Sequence, residues 1–263
     1  MTRHTIPTSN GATLHAVTSG PVSAPALVLV HALGTNLHLW DGLLAHLPKG
    51  LRVIRYDLRG HGQSDAPPAP YSMGRLITDA ETVMDHLGVT DAAFLGLSVG
   101  GMIAQGLAIK RLDLVRALIL SNTAARIGNA KLWEDRIAAV ERDGLKALAP
   151  SILSRWFGTL PHDAETLTAM LTATPPVGYT GTCAAIAGTD FYTPTSGLRL
   201  PTLGIAGSED RSTPPDLVRE TVDLIPGSKF ALMRRAGHLP CLDDPAGYAC
   251  HVTRFLRETG HIR

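Results

Sequence analysis

Short runs of consecutive apolar residues alternate along this chain with longer stretches of helical spacing. Residues 26–30 (ALVLV) read as a buried strand, followed by strands at 52–56, 92–96 and 116–121 and, after a long interval, at 202–206 and 229–233. Strands separated by helical stretches indicate βα units and a mostly parallel sheet. Ahead of them, Asn10-Gly11 lies between two strand-like stretches and signals a hairpin, its second strand running over 13–18. The pattern predicts an α/β fold with eight strands, helices on both faces of the sheet, and a helical insertion.

The insertion is placed by the long interval. Trp133, Ile137 and Val140 fall at i, i+4 and i+7, and Leu145, Leu148, Ile152 and Trp156 continue at helical spacing. Pro175-Pro176 is expected to break the run, leaving one more short helix at 180–187. The reading is a core of residues 1–122 and 198–263, with 123–197 forming a cap over the C-terminal edge of the sheet, where open α/β sheets bind ligands.

Composition narrows the function. Lys+Arg 24 against Asp+Glu 23 leaves a net charge of +1, which gives no electrostatic case for nucleic acid or an anionic membrane as a partner. The first strand-like run is far shorter than the ~20 residues of a membrane span, and residues 1–7 show no apolar signal-peptide segment. Three cysteines, Cys183, Cys241 and Cys250, lack CxxC spacing, so neither a disulfide framework nor a zinc knuckle is expected. A reducing cytoplasm is the simplest setting. The eleven histidines include no H-E-x-x-H.

Gly96-Leu97-Ser98-Val99-Gly100 follows a strand and opens a helical pattern. A serine on such a turn is held in a strained backbone, flanked by glycines that let neighbouring chain approach, at a helix N-terminus that favours developing negative charge. A serine alkoxide needs a base, and the base needs an orienting carboxylate. In the strand–turn–helix arrangement these follow in the order Ser, Asp/Glu, His, on loops after late strands. Asp210 follows strand 202–206 and His238 follows strand 229–233, so Ser98, Asp210 and His238 form the candidate triad, with Glu209 as the adjacent rival acid. His251 and His261 fall in or past the terminal helix pattern and are read as solvent-facing.

An oxyanion hole needs two main-chain N–H groups, one from the residue after the nucleophile and one from the loop after the first parallel strand. Val99 and Leu33 are those residues. Trp40 is assigned to the core. The Asp57-Leu-Arg-Gly-His-Gly-Gln-Ser64 loop is read as structural, with Asp57, Arg59 and Ser64 tying it together by hydrogen bonds and the balance for His61 against substrate contact.

The GLSVGG elbow, the DLRGHGQSD loop, the GSED loop and the AGHLPCLDDP segment together resemble the α/β-hydrolase superfamily over essentially the whole chain. A narrower likeness lies in His31-Ala-Leu-Gly-Thr-Asn-Leu-His-Leu-Trp40, Ser121-Asn-Thr-Ala-Ala-Arg-Ile-Gly128, Trp133-Glu-Asp-Arg-Ile137, Ser154-Arg-Trp-Phe157 and Gly178-Tyr-Thr-Gly-Thr-Cys-Ala-Ala-Ile186. These segments are similar to the 3-oxoadipate enol-lactonase family, with one departure at His31-Ala32, where that family carries Asn-Ser. The resemblance implies hydrolysis of a carboxylated enol-lactone to 3-oxoadipate in the breakdown of protocatechuate and catechol, without cofactor or metal. It also implies a carboxylate to be bound, and Arg126 and Arg136, flanking Trp133, are the candidates, with Arg126 favoured for its place just past a strand end. The competing readings are a carboxylesterase, another lactonase or a perhydrolase on the same triad, or a non-catalytic ligand receptor on a hydrolase scaffold. Steady turnover of an aryl ester separates the last from the rest. The sequence leaves the oligomeric state open.

Overall fold

The computed structural model describes residues 1–160 and 163–263. Eight strands form one sheet: β1 (Thr2–Pro7), β2 (Thr13–Ser19), β3 (Ala26–Val30), β4 (Arg52–Tyr56), β5 (Ala92–Leu97), β6 (Val115–Ser121), β7 (Thr202–Gly207) and β8 (Lys229–Met233), in the order β1-β2-β4-β3-β5-β6-β7-β8. β1 and β2 form the antiparallel hairpin expected at Asn10-Gly11, and β2 pairs antiparallel with β4. All remaining neighbours are parallel.

Every residue of β3, β4, β5 and β7 is buried. Side chains on a strand alternate between faces, so helices must cover both sides of the sheet's centre. The helices are α1 (Asp41–Leu44), α2 (Met73–His86), α3 (Val99–Lys110), α4 (Ala130–Trp156), α5 (Ala164–Ala173), α6 (Pro176–Ala187), α7 (Tyr192–Ser196), α8 (Pro215–Asp223), α9 (Pro240–Asp243) and α10 (Pro245–Glu258). α2 is amphipathic: the Ser72 hydroxyl accepts the Arg75 N–H at its start, and Leu76, Ile77, Ala80, Val83 and Met84 form its buried stripe. α3 is apolar on all sides and buried from Val99 to Ala108.

Among the described residues, helices α4 to α7 lie between β6 and β7. α4 is two helices meeting at Gly144, whose φ of +76° and ψ of 161° interrupt the helical path. The two apolar series, one ending at Val140 and the other starting at Leu145, mark the same break. Pro175-Pro176 breaks the helical run as expected, after α5 ends at Ala173, but the next helix starts at Pro176 and not at 180: Pro176 sits in the first turn of α6, where a missing N–H costs no hydrogen bond. Gly60, after β4, meets Gly178 of α6 so closely that a Cβ on either would overlap the other's backbone. Tyr71 N–H donates to the Gly181 carbonyl at 3.2 Å beside this contact. Among the described residues no helix is long and apolar enough to cross a membrane.

Candidate active site

Five loops at the C-terminal ends of β3, β5, β6, β7 and β8 converge. Ser98 stands between β5 and α3 at φ 58° and ψ −120°, a left-handed conformation that costs a non-glycine residue on the order of 1–3 kcal/mol and clusters at functional sites. The glycines make this turn possible. A Cβ on Gly96 would overlap the backbone of Gly100, and one on Gly100 would overlap the Val30 carbonyl. Ser98 N–H donates to the Ser121 carbonyl at 3.0 Å, and Thr123 Oγ1 donates to the Ser98 carbonyl at 2.6 Å.

Asp210 and His238 meet as the order of loops predicts. His238 Nδ1 donates to Asp210 Oδ2 at 2.8 Å, and both residues are buried. Asp210 also accepts from Asn122 Nδ2 at 2.8 Å, Thr213 Oγ1 at 2.7 Å, Ser212 N at 2.7 Å and Thr213 N at 3.1 Å. Burial acts to raise the pKa of Asp210, but the facing His238 together with the Asn122 and Thr213 hydrogen bonds outweighs it. The carboxyl is held below the ordinary carboxylate range. Glu209 faces elsewhere, accepting from Thr159 Oγ1 at 3.0 Å.

Ser98 and His238 line one cavity of about 140 Å³. No hydrogen bond joins them in this structure; such contacts tighten when substrate arrives. The other walls are Leu33, Ile127, Gly128, Leu132, Trp133, Arg136, Ile152, Arg155, Trp156, Tyr179, Arg211, Ser212 and Thr213. Among the described residues three arginines and no carboxylate therefore line this space. Arg136 donates to the Tyr179 hydroxyl at 3.2 Å, and the Trp133 indole donates to the Ile127 carbonyl at 2.6 Å. Among the described residues neither the Leu33 nor the Val99 N–H donates to a protein acceptor.

Arg126, the favoured carboxylate ligand on sequence, is not a wall of the cavity. It is exposed and lies 3.7 Å from Asp190. The segment alternates here: Ala125 and Ile127 are buried on either side, so Arg126 emerges on the outer surface. His261 is likewise not solvent-facing but buried, donating to the Ala26 carbonyl at 2.8 Å. Trp40 is fully buried against Tyr248, away from the cavity.

Sequence reasoning missed Asn122, Thr213, Tyr179, Arg155 and Arg211. Two carried a local signal. Thr213 lies three residues past Asp210, the spacing at which a side-chain carboxylate meets the following backbone and hydroxyl. Asn122 directly follows β6 at φ 44°, a backbone region that asparagine tolerates better than other side chains.

The Asp57 loop is structural, as expected. Asp57 accepts from Leu37 N, Gln63 N and His15 Nδ1, and Arg59 pairs with Asp79 in the interior. Burial raises the pKa of Asp79. Among the described residues no group of three or more His, Cys, Asp or Glu side chains could hold a metal ion.

Residues 25–139 match the profile of the α/β-hydrolase fold. The chain is 36% identical over 211 residues to 3-oxoadipate enol-lactonase 2 of Acinetobacter baylyi, covering 78% of this chain and 79% of that protein. The enol-lactonase from Burkholderia xenovorans LB400 superposes with a TM-score of 0.91 at 33% identity, over 97% of this chain and 100% of that one. A hydrolase from Pseudomonas aeruginosa PA01 superposes with a TM-score of 0.92 at 36% identity, over 97% and 98% of the two chains. With its strand order, its serine elbow and these relatives, the chain belongs to the 3-oxoadipate enol-lactonase family of the α/β-hydrolase superfamily.

Proposed function

We propose that the protein opens a small carboxylated enol-lactone, 3-oxoadipate enol-lactone being the substrate its relatives are named for, through an acyl-enzyme on Ser98. The observation that carries this reading is the cavity above Ser98 and His238. Its volume of about 140 Å³ is below the ~300–1,000 Å³ of pockets for drug-sized ligands. Among the described residues its charged walls are the three arginines. A carboxylate that enters an apolar pocket must regain the hydrogen bonds it lost from water, and guanidinium groups replace them at two points at once. Arg136, with Trp133 beside it, takes the place assigned to the carboxylate; Arg126 does not.

In this reading Asp210 holds the His238 ring with its proton on Nδ1, leaving Nε2 to take the Ser98 proton. The alkoxide attacks the lactone carbonyl. The N–H groups of Leu33 and Val99 bind the oxyanion. The ring C–O bond breaks, and His238 returns the proton to the enolate oxygen. The enol then tautomerises to the ketone. Water, deprotonated by His238, attacks the acyl-serine; the acyl C–O bond to Ser98 breaks, His238 passes its proton to Ser98 Oγ, and the dicarboxylate is freed. Residues 123–197 act as the cap that supplies Arg136 and Arg155 and shields the acyl-enzyme, while Arg211 comes from the loop after β7, and the partner is a small molecule in a cytoplasmic setting.

A second reading, a carboxylesterase for neutral substrates, draws on the apolar walls Ile127, Leu132, Ile152 and Trp156. The deciding measurement is kcat/KM for the carboxylated enol-lactone against a neutral lactone and an aryl ester of similar size. A clear preference for the charged lactone is expected. Equal or greater rates on the neutral compounds would transfer the protein to the esterase reading.

A further inference from the structure

The peptide groups on either side of Leu33 are both pinned. The Ala32 carbonyl accepts three hydrogen bonds, from His31 Nδ1 at 2.8 Å, Thr35 Oγ1 at 2.8 Å and Thr35 N at 3.2 Å. A trans peptide is planar, with its N–H directed opposite its carbonyl. The N–H of that peptide is the Leu33 N–H, and it is turned away from all three donors. The next peptide is fixed as well: the Gly34 N–H donates to His61 Nε2 at 3.1 Å. Gly34 has a φ of +74°, and a Cβ there would press on Leu171 and Tyr179.

The two histidines serve the two loops reciprocally. His31, on the loop after β3, accepts the Leu58 N–H at 2.9 Å from the loop after β4. His61, on the loop after β4, accepts the Gly34 N–H from the loop after β3. Each ring therefore carries its proton on Nδ1, which donates to a carbonyl: Ala32 for His31, and Arg59 at 3.1 Å for His61. The rings lie 5.5 Å apart, and neither has any exposed surface. Neither is a wall of the cavity.

Only neutral rings can accept these amides. Burial lowers the pKa of both histidines, and with the neighbouring His31 it brings His61 down to about 3.

We propose that His31 and His61 are positioning residues, whose exchange of backbone amides between the two loops sets the Leu33 N–H in the oxyanion geometry before substrate arrives. The inference rests on the acyl-enzyme reading and goes beyond it by naming what aims the donor. Oxyanion donors are effective because they are aimed in advance and need no reorganisation during reaction. A misplacement of about 1 Å can cost a hundredfold in rate.

The test uses the whole protein, a neutral aryl acetate as substrate and an arylboronic acid as the probe that forms a tetrahedral adduct on serine. In His61→Leu, kcat should fall about 10- to 100-fold and boronate affinity in the same proportion, while KM stays within about threefold. In His61→Gln, which can still accept the Gly34 N–H, most of both should return. A folded His61→Leu protein with kcat and boronate affinity within twofold of the parent overturns the proposal, as does a loss confined to KM. If His61→Leu does not fold, His61→Asn, too short to reach Gly34, is compared with His61→Gln. Equal kcat in the two overturns the proposal; loss in Asn alone supports it. Failure of the acyl-enzyme reading shows separately, as turnover that survives Ser98→Ala.

Discussion

His238 donates its main-chain N–H to the Trp156 carbonyl at 2.8 Å. Trp156 is the last residue of α4 and also a wall of the cavity. The final carbonyls of a helix have no partner within it, and here one of them is satisfied by the candidate base. Gly237 makes the approach possible, since a Cβ on it would overlap that same carbonyl. The segment that shapes the pocket and the loop that carries the imidazole are thus held in one register.

Asp210, which meets His238, is expected to be the acid in place of its neighbour Glu209. Asp210→Asn should leave the chain folded but favour the wrong His238 tautomer, and the equivalent change in serine proteases lowers kcat by about 10⁴. Glu209→Gln should stay within about twofold of the parent, because its carboxylate accepts from Thr159 and is not a wall of the cavity. Steady-state kinetics of the two variants, with circular dichroism as the folding control, decide the matter; a reversal of the two effects would assign the acid to Glu209.

Charge selection should lie with Arg136. Arg136→Met is expected to lower kcat/KM for the carboxylated lactone by about 1.5–3 kcal/mol, the scale of a hydrogen bond to a charged group. A neutral ester should react nearly as before. Arg126→Met should change neither rate, its guanidinium being on the outer surface beside Asp190. The ratio of the two kcat/KM values is the observable. A ratio unchanged by Arg136→Met, Arg155→Met and Arg211→Met would leave the carboxylate without a ligand and favour the neutral-ester reading.

Asn122 supports the carboxylate from behind. Its side chain donates to Asp210 Oδ2 and, at 3.2 Å, to the Gly237 carbonyl. Asn122→Ala removes a hydrogen bond to a buried charge and places alanine at positive φ, so urea unfolding should show a loss of about 2–4 kcal/mol. A loss below about 0.5 kcal/mol would mean that water replaces the amide.

Acid should destabilise the fold through its buried imidazoles. His61 ionises near pH 3 when folded and near its ordinary 6.5 when unfolded. Between those values the unfolded chain binds the extra proton, so stability is full above about 6.5 and falls as pH drops, by up to about 1.4 kcal/mol per pH unit from this ring. His31 acts in the same direction. Urea titrations between pH 4 and 6 should give a flatter dependence for His61→Gln than for the parent. Parallel slopes would show that His61 is not the group taking up the proton.

The strands and the meeting of Ser98, Asp210 and His238 at one site were legible in the sequence because both rest on local signals. Uninterrupted apolar runs such as 26–30 need no partner to be recognised, and Ser98, Asp210 and His238 each follow a strand in a fixed order. The relation of one loop to another was not legible. The apolar neighbours Ala125 and Ile127 bear on Arg126 alone, and nothing in the chain tells that Arg136, on a helix, turns into the cavity. His31 and His61 read as ordinary loop residues, since their partners, Leu58 and Gly34, are each 27 residues away. Pro175-Pro176 marked the break between α5 and α6 but not that α6 begins at the second proline, because a proline pair ends one helix as readily as it begins another.

The contact of Gly60 with Gly178 has a consequence for what the protein can accept. Tyr179, one residue along α6, forms a wall of the cavity and lies against Gly34, so the seating of the helix on the loop fixes how far that wall stands from Ser98. If the protein works through an acyl-enzyme, the size limit on the acyl group is expected to depend partly on two residues that are not walls of the cavity. A single methyl at Gly60 or Gly178 would lift the helix and widen the chamber, so variants with broader tolerance should arise there, outside the binding surface altogether.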